Sequence, residues 1–529
     1  MKTKYKILTF SFIFALALGL SSCSEDFLQT VPTDSVSTEI ALGSTDNMML
    51  AINGMHRTLY AQNPEIVRYY AGQQYVIPLA EFAAGDALHS STGNGWFRSA
   101  LQWNSFTDAT NNDVTYPWWY YYNIIGSANN IINAAADLQP SDELNNVLGQ
   151  AYTYRAWAHF NLVRFFAKAY MIGNPSTDPG VPIMLATEPP YEGLSRNTVQ
   201  EVYDQIELDL TTAITYFEGA TSRNDLSHLN IDVARGIAAR VYLTTGDWAN
   251  AASYANAARE DYPLMSESEY KSGFNSISNP EWMWGSKMIQ DQTAYYWSYF
   301  YYTSNNFNGS QNRSNPKFMN HNLYNQMSET DYRRDLILAD CPSTFDDWDA
   351  GENAGRYASE EEYDEAVAEY RVIVDNSSNH NMVPYQHIKL SQADGPTISP
   401  MDVLHMRAAE MYLIEAEALA RQGSNTAAQD VLFDLVSARD AGYEKSTNTG
   451  QALVDEILLQ RRFELFLEGH RWFDMLRNDE ELDLEGSGAN PDLYLDGFHQ
   501  DKPSLNNMWM FRIPQRELDA NPNMDQNPS

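Results

Sequence analysis

GQAYTYRAWAHFNLVRFFAKAY, residues 149–170, sets Ala151, Tyr154, Ala158, Leu162 and Phe165 at steps of three and four, so these apolar side chains share one face of a helix. The Pro- and Gly-containing stretch from Asn174 to Pro182 ends that pattern. Further on, NTVQEVYDQIELDL, residues 197–210, opens with an Asn-Thr start signal and keeps Val199, Val202, Ile206 and Leu210 on a common stripe. VARGIAARVYLTTGDWANAASYANAARE, residues 233–260, reads as two small-residue-rich helices broken at Gly246-Asp247. EAEALARQGSNTAAQDVLFDLVSAR, residues 415–439, repeats the arrangement around Gly423. Ala251 and Ala428 each sit five residues past their glycine, where a small side chain lets two helices approach closely, as in tetratricopeptide-like helix pairs. The expected fold class is therefore mainly α: helix pairs forming a scaffold, mainly over residues 123–260 and 400–478.

Residues 75–122 and 262–400 do not read as helix. They are rich in Asn, Ser, Gly, Pro and aromatics, the composition of surface loops and short strands. Loops this long are usually functional in a compact protein, so this irregular lobe is where a binding site is sought.

Composition excludes several classes. The 529 residues carry 34 Lys plus Arg against 70 Asp plus Glu, a formal charge of −36 that would repel a phosphate backbone and speaks against a nucleic-acid partner. With 43% hydrophobic and 13% aromatic residues the chain has ample apolar surface to offset chain entropy, so intrinsic disorder is excluded as well. Length alone fits three or four domains or one large helical body.

Lys2, Lys4 and Lys6 precede an apolar run from Ile7 to Leu20, which leads into Leu20-Ser21-Ser22-Cys23. The run is short for a membrane span and has the basic start and small-residue end of an export signal over residues 1–22. Small residues before Cys23 resemble the bacterial lipobox, after which Cys23 becomes the acylated first residue of a tether, residues 23–40. An ordinary secretory signal containing a Cys is the alternative. Acyl chains on one cysteine anchor a body to a membrane surface without a spanning helix. Ser24-Glu25-Asp26 follows at once and resembles the acidic signal that sends lipoproteins of the Bacteroidetes group to the outer face of the outer membrane. Cleavage would remove three lysines and no acid, taking the charge from −36 to −39. Cys341 then stays as a single thiol, which reads as a small, partly buried residue.

Catalytic patterns are sparse. The sequence has no GxSxG elbow, HExxH or Walker loop, and the acidic run Asp346–Glu352 lacks EF-hand ligand spacing, so neither a catalytic nor a metal site is expected, and no cofactor. In ILLQRRFELFLEGHRWFDMLR, residues 457–477, Arg461, Glu464 and Glu468 stand at i, i+3 and i+7 and are expected to share a helix face as an internal ion-pair network. Glu415 projects amid the apolar face of Leu404, Ala408, Met411 and Leu419 and would need an arginine partner.

The aromatics carry more. Tyr295–Tyr302 holds seven rings in eight residues beside Thr303-Ser304-Asn305-Asn306, and Gly93-Asn94-Gly95-Trp96-Phe97 raises a Trp on a polar turn. Sugars offer flat C–H faces rimmed by hydroxyls, so exposed rings beside Asn, Asp and Gln suit them, whereas an aromatic core would also account for these runs. The candidate ligand residues are Trp96, Tyr296, Trp297, Tyr299 and Tyr301. A third group, Tyr116–Tyr122, runs straight into a helical segment and is read as packing.

QRRFELFLEGHRWFDMLR (460–477) and FRIPQRELDANPNMDQNP (511–528) resemble the signatures of the SusD/RagB family of outer-membrane nutrient-binding lipoproteins. GQAYTYRAWAHFNLVRFF, NTVQEVYDQIELDL, RVYLTTGDWANAASYA and HMRAAEMYLIEAEALARQG support the resemblance in family order. It implies a single domain over residues 41–529, with four tetratricopeptide-like helix pairs carrying a loop-and-strand lobe. It also implies a non-catalytic surface protein that sits on a SusC-like TonB-dependent transporter and captures oligosaccharides. The same role for peptides, or a surface glycoside hydrolase, are the alternatives. In glycan-binding members the stacking rings come from the irregular lobe, a region that the Gly93–Trp96 turn matches through Trp96.

Overall fold

A computed structural model of the protein describes residues 41–62, 70–91, 93, 95–186, 193–292, 297–374, 380–393 and 400–528. The expected export signal, Cys23 and the expected tether lie outside these. Among the described residues no helix is long and apolar enough to cross a membrane.

Twelve helices of eight or more residues are found among the described residues: α1 Thr45–Thr58, α2 Gln73–Ala83, α3 Asn112–Ala135, α4 Asp142–Phe166, α5 Val199–Glu218, α6 Ile231–Thr245, α7 Trp248–Arg259, α8 Glu360–Val374, α9 Ala408–Arg421, α10 Asn425–Val436, α11 Gln451–Glu464 and α12 Arg471–Asn478. Neighbours in sequence pack on one another from α3 through α7; α7 then packs on α9, and α9 on α10 and α11. The fold is mainly α, as the periodicity implies.

Local chemistry explains the boundaries. The Thr198 hydroxyl accepts from the Glu201 N–H while the Glu201 carboxylate accepts from the Thr198 N–H, a reciprocal cap that starts α5. Gly246, at φ +81°, closes α6 in the left-handed region, and Asp247 caps α7 by accepting from the Asn250 N–H. Ala251 and Ala428 are fully buried at the close approaches. The Glu415 carboxylate, expected to need an arginine, lies 2.7 Å from Arg259.

The lobe departs from expectation in three places. Helix α2 buries every residue except Ile77, so no polar stripe marks it in the sequence, and Pro78 lies inside it. Helix α3 begins at Asn112 and absorbs the Tyr116–Tyr122 run, with Pro117 near its start; Tyr116, Trp118, Tyr120 and Tyr121 are buried. Helix α8 buries only Val374, and its acidic first turn favours the positive end of the helix dipole. The strands are short: β1 Ala87–His89, β2 Trp282–Ser286, β3 Lys317–Met319, β4 Ile337–Leu338, β5 Gln386–His387, β6 Val403–Arg407, β7 Leu482–Asp483 and β8 His499–Gln500. They form a four-stranded sheet in the order β1-β3-β5-β4 and the antiparallel pairs β2-β6 and β7-β8. Leu88 opposes Phe318, and both are buried.

Lobe and scaffold meet at a buried ion network. Glu464, at the end of α11, accepts from Arg407 (2.6 Å), from Arg333 (2.8 Å) and from Arg439 (3.2 Å). Glu281 bridges Arg407 and Arg439 at 2.7 Å each, and Glu468 holds Arg407 (2.8 Å) and Lys389 (2.6 Å). Asp331 completes the set on Arg333 at 2.7 Å, so Arg333, Arg407, Arg439 and Lys389 face Glu281, Glu464, Glu468 and Asp331 in equal number. Arg461 does not join this network, contrary to the helical spacing. Helix α11 stops at Glu464, Leu467 turns through φ +66°, and Arg461 pairs instead with Asp474 at 2.7 Å. Burial opposes charge on Glu464, yet Arg439, Arg407 and Arg333 together hold its carboxyl well below the usual range.

Two outcomes follow from this electrostatic frame. Glu464→Gln leaves buried guanidinium groups without a counter-charge and should cost about 3–5 kcal/mol in urea denaturation. Burial would raise the Glu410 carboxyl, but Arg240, 2.6 Å away, holds it down to about 2. A carboxyl depressed in the folded state contributes stability that is present above its unfolded value and lost as pH falls through the folded one. The urea midpoint should therefore fall as pH is lowered from about 4.5 towards 2, and Glu410→Gln should make that fall shallower.

Candidate functional site

The turn raised by Gly95, at φ +78°, carries Trp96 half-buried at one wall of an open cleft of about 450 Å³. Phe97, itself at φ +61°, turns inward to start the short helix Arg98–Leu101 and stacks on Tyr75 with ring centroids 5.2 Å apart. Tyr302 meets Trp96 edge-on at 5.9 Å and Phe97 edge-on at 5.1 Å, so the indole is braced from within.

The floor is a hydroxyl-rich aromatic layer. Tyr75 and Tyr70 both donate to Asp113 Oδ1, at 2.6 and 3.1 Å, and Tyr70 stacks on Tyr116 with centroids 4.7 Å apart. Burial pushes the Asp113 carboxyl above its ordinary value, and the two phenols offset part of that. The rim consists of Arg98, Ser99, Asp108, Thr110, Asn111 and Asn112. The Thr110 hydroxyl and N–H both donate to Asp108, at 2.7 and 2.9 Å, and hold its carboxyl below the usual range. An indole wall with a rim of carboxylate, amide, hydroxyl and guanidinium groups is the lining that a polyhydroxylated ligand requires: a ring for the C–H face, and donors and acceptors for the hydroxyls. A larger concavity, about 650 Å³, lies on the scaffold beside Trp118, Trp119 and Tyr122, with the more apolar walls of Met184, Leu194 and Pro514.

Of the residues singled out from sequence, only Trp96 lines the cleft. Tyr299 and Tyr301 are corrected. Both belong to the short helix Tyr299–Thr303 and are 4% and 3% exposed, leaving no face for a ligand. The Tyr299 hydroxyl donates to the Leu467 carbonyl and the Tyr301 hydroxyl contacts Ser310 Oγ at 3.4 Å, which removes the objection that buried phenols would lack partners. Trp297 is half-buried against the core and is not part of the cleft lining. Tyr296 and Cys23 lie outside the described residues. Tyr70, Tyr75 and Asp113 were missed, because α2 carries no amphipathic signal and the start of α3 read as loop.

Two family models cover most of the chain. The SusD family model matches residues 248–529, and a second, described as starch-binding associating with outer membrane, matches residues 67–243. The chain belongs to the SusD family.

Two relatives from Formosa agariphila extend over nearly the whole length. SusD-like protein P38 is 23% identical and spans 99% of both chains; SusD-like protein P2 is 26% identical and spans 98% of both. Among solved structures, a SusD-like carbohydrate binding protein from Bacteroides vulgatus superposes with a TM-score of 0.71 at 23% identity, covering 91% of this chain and 97% of that one. A SusD superfamily protein from Bacteroides thetaiotaomicron gives 0.72 at 22% identity, covering 92% and 100%. The helical scaffold described above is thus the SusD fold, and the cleft lies where its lobe meets α2 and the start of α3.

Asp113 is the element beneath this SusD cleft most open to test. Asp113→Ala leaves two buried phenol hydroxyls without their acceptor and should lower stability by about 1–3 kcal/mol, measured by urea denaturation.

Proposed function

We propose that this SusD family member is a non-catalytic lipoprotein of the outer membrane that captures oligosaccharides in the Trp96 cleft and passes them to a SusC-like TonB-dependent transporter. One observation carries the reading: a half-exposed indole, braced by Tyr302, which packs in turn on Phe97, stands over a cleft of about 450 Å³ rimmed by Asp108, Thr110, Asn111 and Asn112. That volume lies within the roughly 300–1,000 Å³ of ordinary ligand sites. The family model over residues 67–243, described as starch-binding associating with outer membrane, supports both the ligand class and the compartment. The lipobox-like Leu20-Ser21-Ser22-Cys23 supports a lipid anchor on Cys23, with the body facing the cell surface. The strong acidity of the chain favours neutral glycans over polyanionic ones, which an acidic surface would repel.

Binding needs no bond breaking in this reading. Trp96 stacks on a sugar face, the rim exchanges hydrogen bonds with hydroxyls, and the buried Tyr70–Tyr75–Asp113 layer keeps the floor rigid.

Isothermal titration against a panel of neutral oligosaccharides should find a ligand whose affinity drops about tenfold or more in Trp96→Ala, the scale of one lost stacking ring with its buried area. Unchanged affinity would remove Trp96 from the site, binding of peptides alone would replace the glycan reading, and shortened sugar products on chromatography would establish a hydrolase. Copurification from the native outer membrane should bring down a large barrel protein together with a chain acylated at Cys23.

A further inference from the structure

Along α3 the Trp96 cleft is followed by the larger concavity. Asn112, Thr115, Trp119 and Tyr122 stand at steps of three and four and share one face of this helix. Asn112 lines the Trp96 cleft, whereas Thr115, Trp119 and Tyr122, together with Trp118 and Asn123, line the concavity of about 650 Å³. Trp119 stands roughly 10 Å along the helix axis from Asn112. Asp113 lies off this face and holds the cleft floor through Tyr70 and Tyr75.

The two basins share their backing. Tyr70, in the cleft floor, stacks on Tyr116 with centroids 4.7 Å apart, and Tyr116 stacks in turn on Trp119 at 6.2 Å. Tyr116 is 1% exposed, so it supports both sites from the interior. Trp119 is half-buried and borders the concavity with the part of its ring that Tyr116 leaves uncovered. The walls are tied as well. The Gln515 N–H donates to the Ala109 carbonyl at 2.8 Å, which fastens residues 514–521 of the concavity to residues 108–112 at the cleft rim. The Thr115 hydroxyl donates to the Asn111 carbonyl at 3.0 Å across the same boundary.

The concavity repeats the chemistry of the cleft at larger size. Glu517 accepts from the Trp118 indole N–H at 3.3 Å and from Asn521 Nδ2 at 2.9 Å, and the Tyr122 hydroxyl donates to the Pro182 carbonyl at 2.8 Å, so rings and polar groups are held in place together. Asn123 and Arg516 stand exposed in the lining. The lining's one cation, Arg516, and its one anion, Glu517, cancel in charge, which favours an uncharged ligand. Rings set among amides and a hydroxyl suit flat polyhydroxylated units. A chain of such units can occupy both basins, and its second contact then forms intramolecularly, at high effective concentration.

We infer that the Trp96 cleft and the Trp119 concavity are two subsites of one extended site, which takes a neutral oligosaccharide long enough to follow α3 from Asn112 to Tyr122, roughly 15 Å. Trp96 stacks on one part of the glycan and Trp119 on another, with Asn111 and Asn112 between them. The inference rests on the glycan reading and adds a length requirement to it.

Titration of the full chain with two neutral ladders, maltose to maltoheptaose and cellobiose to cellohexaose, tests it. In the series that binds, affinity should rise about tenfold or more once a member spans both rings, the scale of one further stacking contact, and one long glycan should bind per protein chain. Trp119→Ala should remove this gain, so that long members bind no better than short ones; Trp96→Ala should weaken long and short members alike. Should Trp119→Ala fail to fold, the double variant Asn123→Ala/Arg516→Ala changes only exposed positions and should cut the gain about threefold or more, the scale of one lost hydrogen bond. Crystals soaked in the longest member that binds should show continuous density from Trp96 past Asn112 to Trp119. Trp96-dependent binding that is indifferent to length, two long glycans per chain, or density confined to the Trp96 cleft would overturn the inference and leave the glycan reading standing. If no member of either ladder binds, both fall.

Discussion

Glu464 carries more of the architecture than any other side chain. Its carboxylate gathers Arg333 from the lobe, Arg407 from the end of β6 and Arg439 from beyond α10, so three parts of the chain far apart in sequence converge on one fully buried charge. Taking so many ions out of water costs several kcal/mol each, and the cost is met only when cations and carboxylates match in number and direction. Four of each meet here, and Arg407 alone binds Glu281, Glu464 and Glu468. Such a network tolerates little displacement. It therefore sets the position of the lobe on the helical scaffold, and with it the position of the Trp96 turn.

The cleft inherits that rigidity through short links. Glu81 in α2 accepts from the Leu467 and Gly469 N–H groups at 2.9 Å each, in the same turn that carries Glu468 into the ion network. Tyr75 lies about two turns earlier in α2 and supports Phe97, which packs on Tyr302, the ring that braces Trp96. A ligand-facing ring is thus connected by a few packed side chains to the buried charges. A ring held in place loses little conformational freedom when a ligand stacks on it, and pre-organisation of this kind is a main source of affinity in small polar sites.

Legibility in the sequence followed the contrast between buried and exposed faces. Helices α5, α6, α7 and α10 bury one face and leave another to solvent, and each was visible in the spacing of its residues, down to the glycine breaks at Gly246 and Gly423; α4 and α9 were visible from their apolar spacing although most of their residues are buried. Helix α2 has no such contrast because the protein surrounds it, and α8 has almost none because solvent does. The same limit applied to rings. Tyr299 and Tyr301 read as binding residues because their run is polar and aromatic, whereas the short helix Tyr299–Thr303 is enclosed and its phenols find acceptors contributed from elsewhere, such as the Leu467 carbonyl. Periodicity reports local amphipathicity; it carries nothing about what packs on an element from another part of the chain.

The amino-acid sequence by itself determined the helical class, the helix pairs and their breaks, the need of Glu415 for an arginine and the prominence of Trp96, because each depends on residues within a few turns of one another. Tertiary structure alone decided that Arg461 turns to Asp474 instead of Glu464, and that Tyr70, Tyr75 and Asp113 lie under Trp96. These pairings join residues tens to hundreds of positions apart or depend on where a helix stops, and the energies that select them, burial and charge neutralisation, exist only once the chain has closed around them.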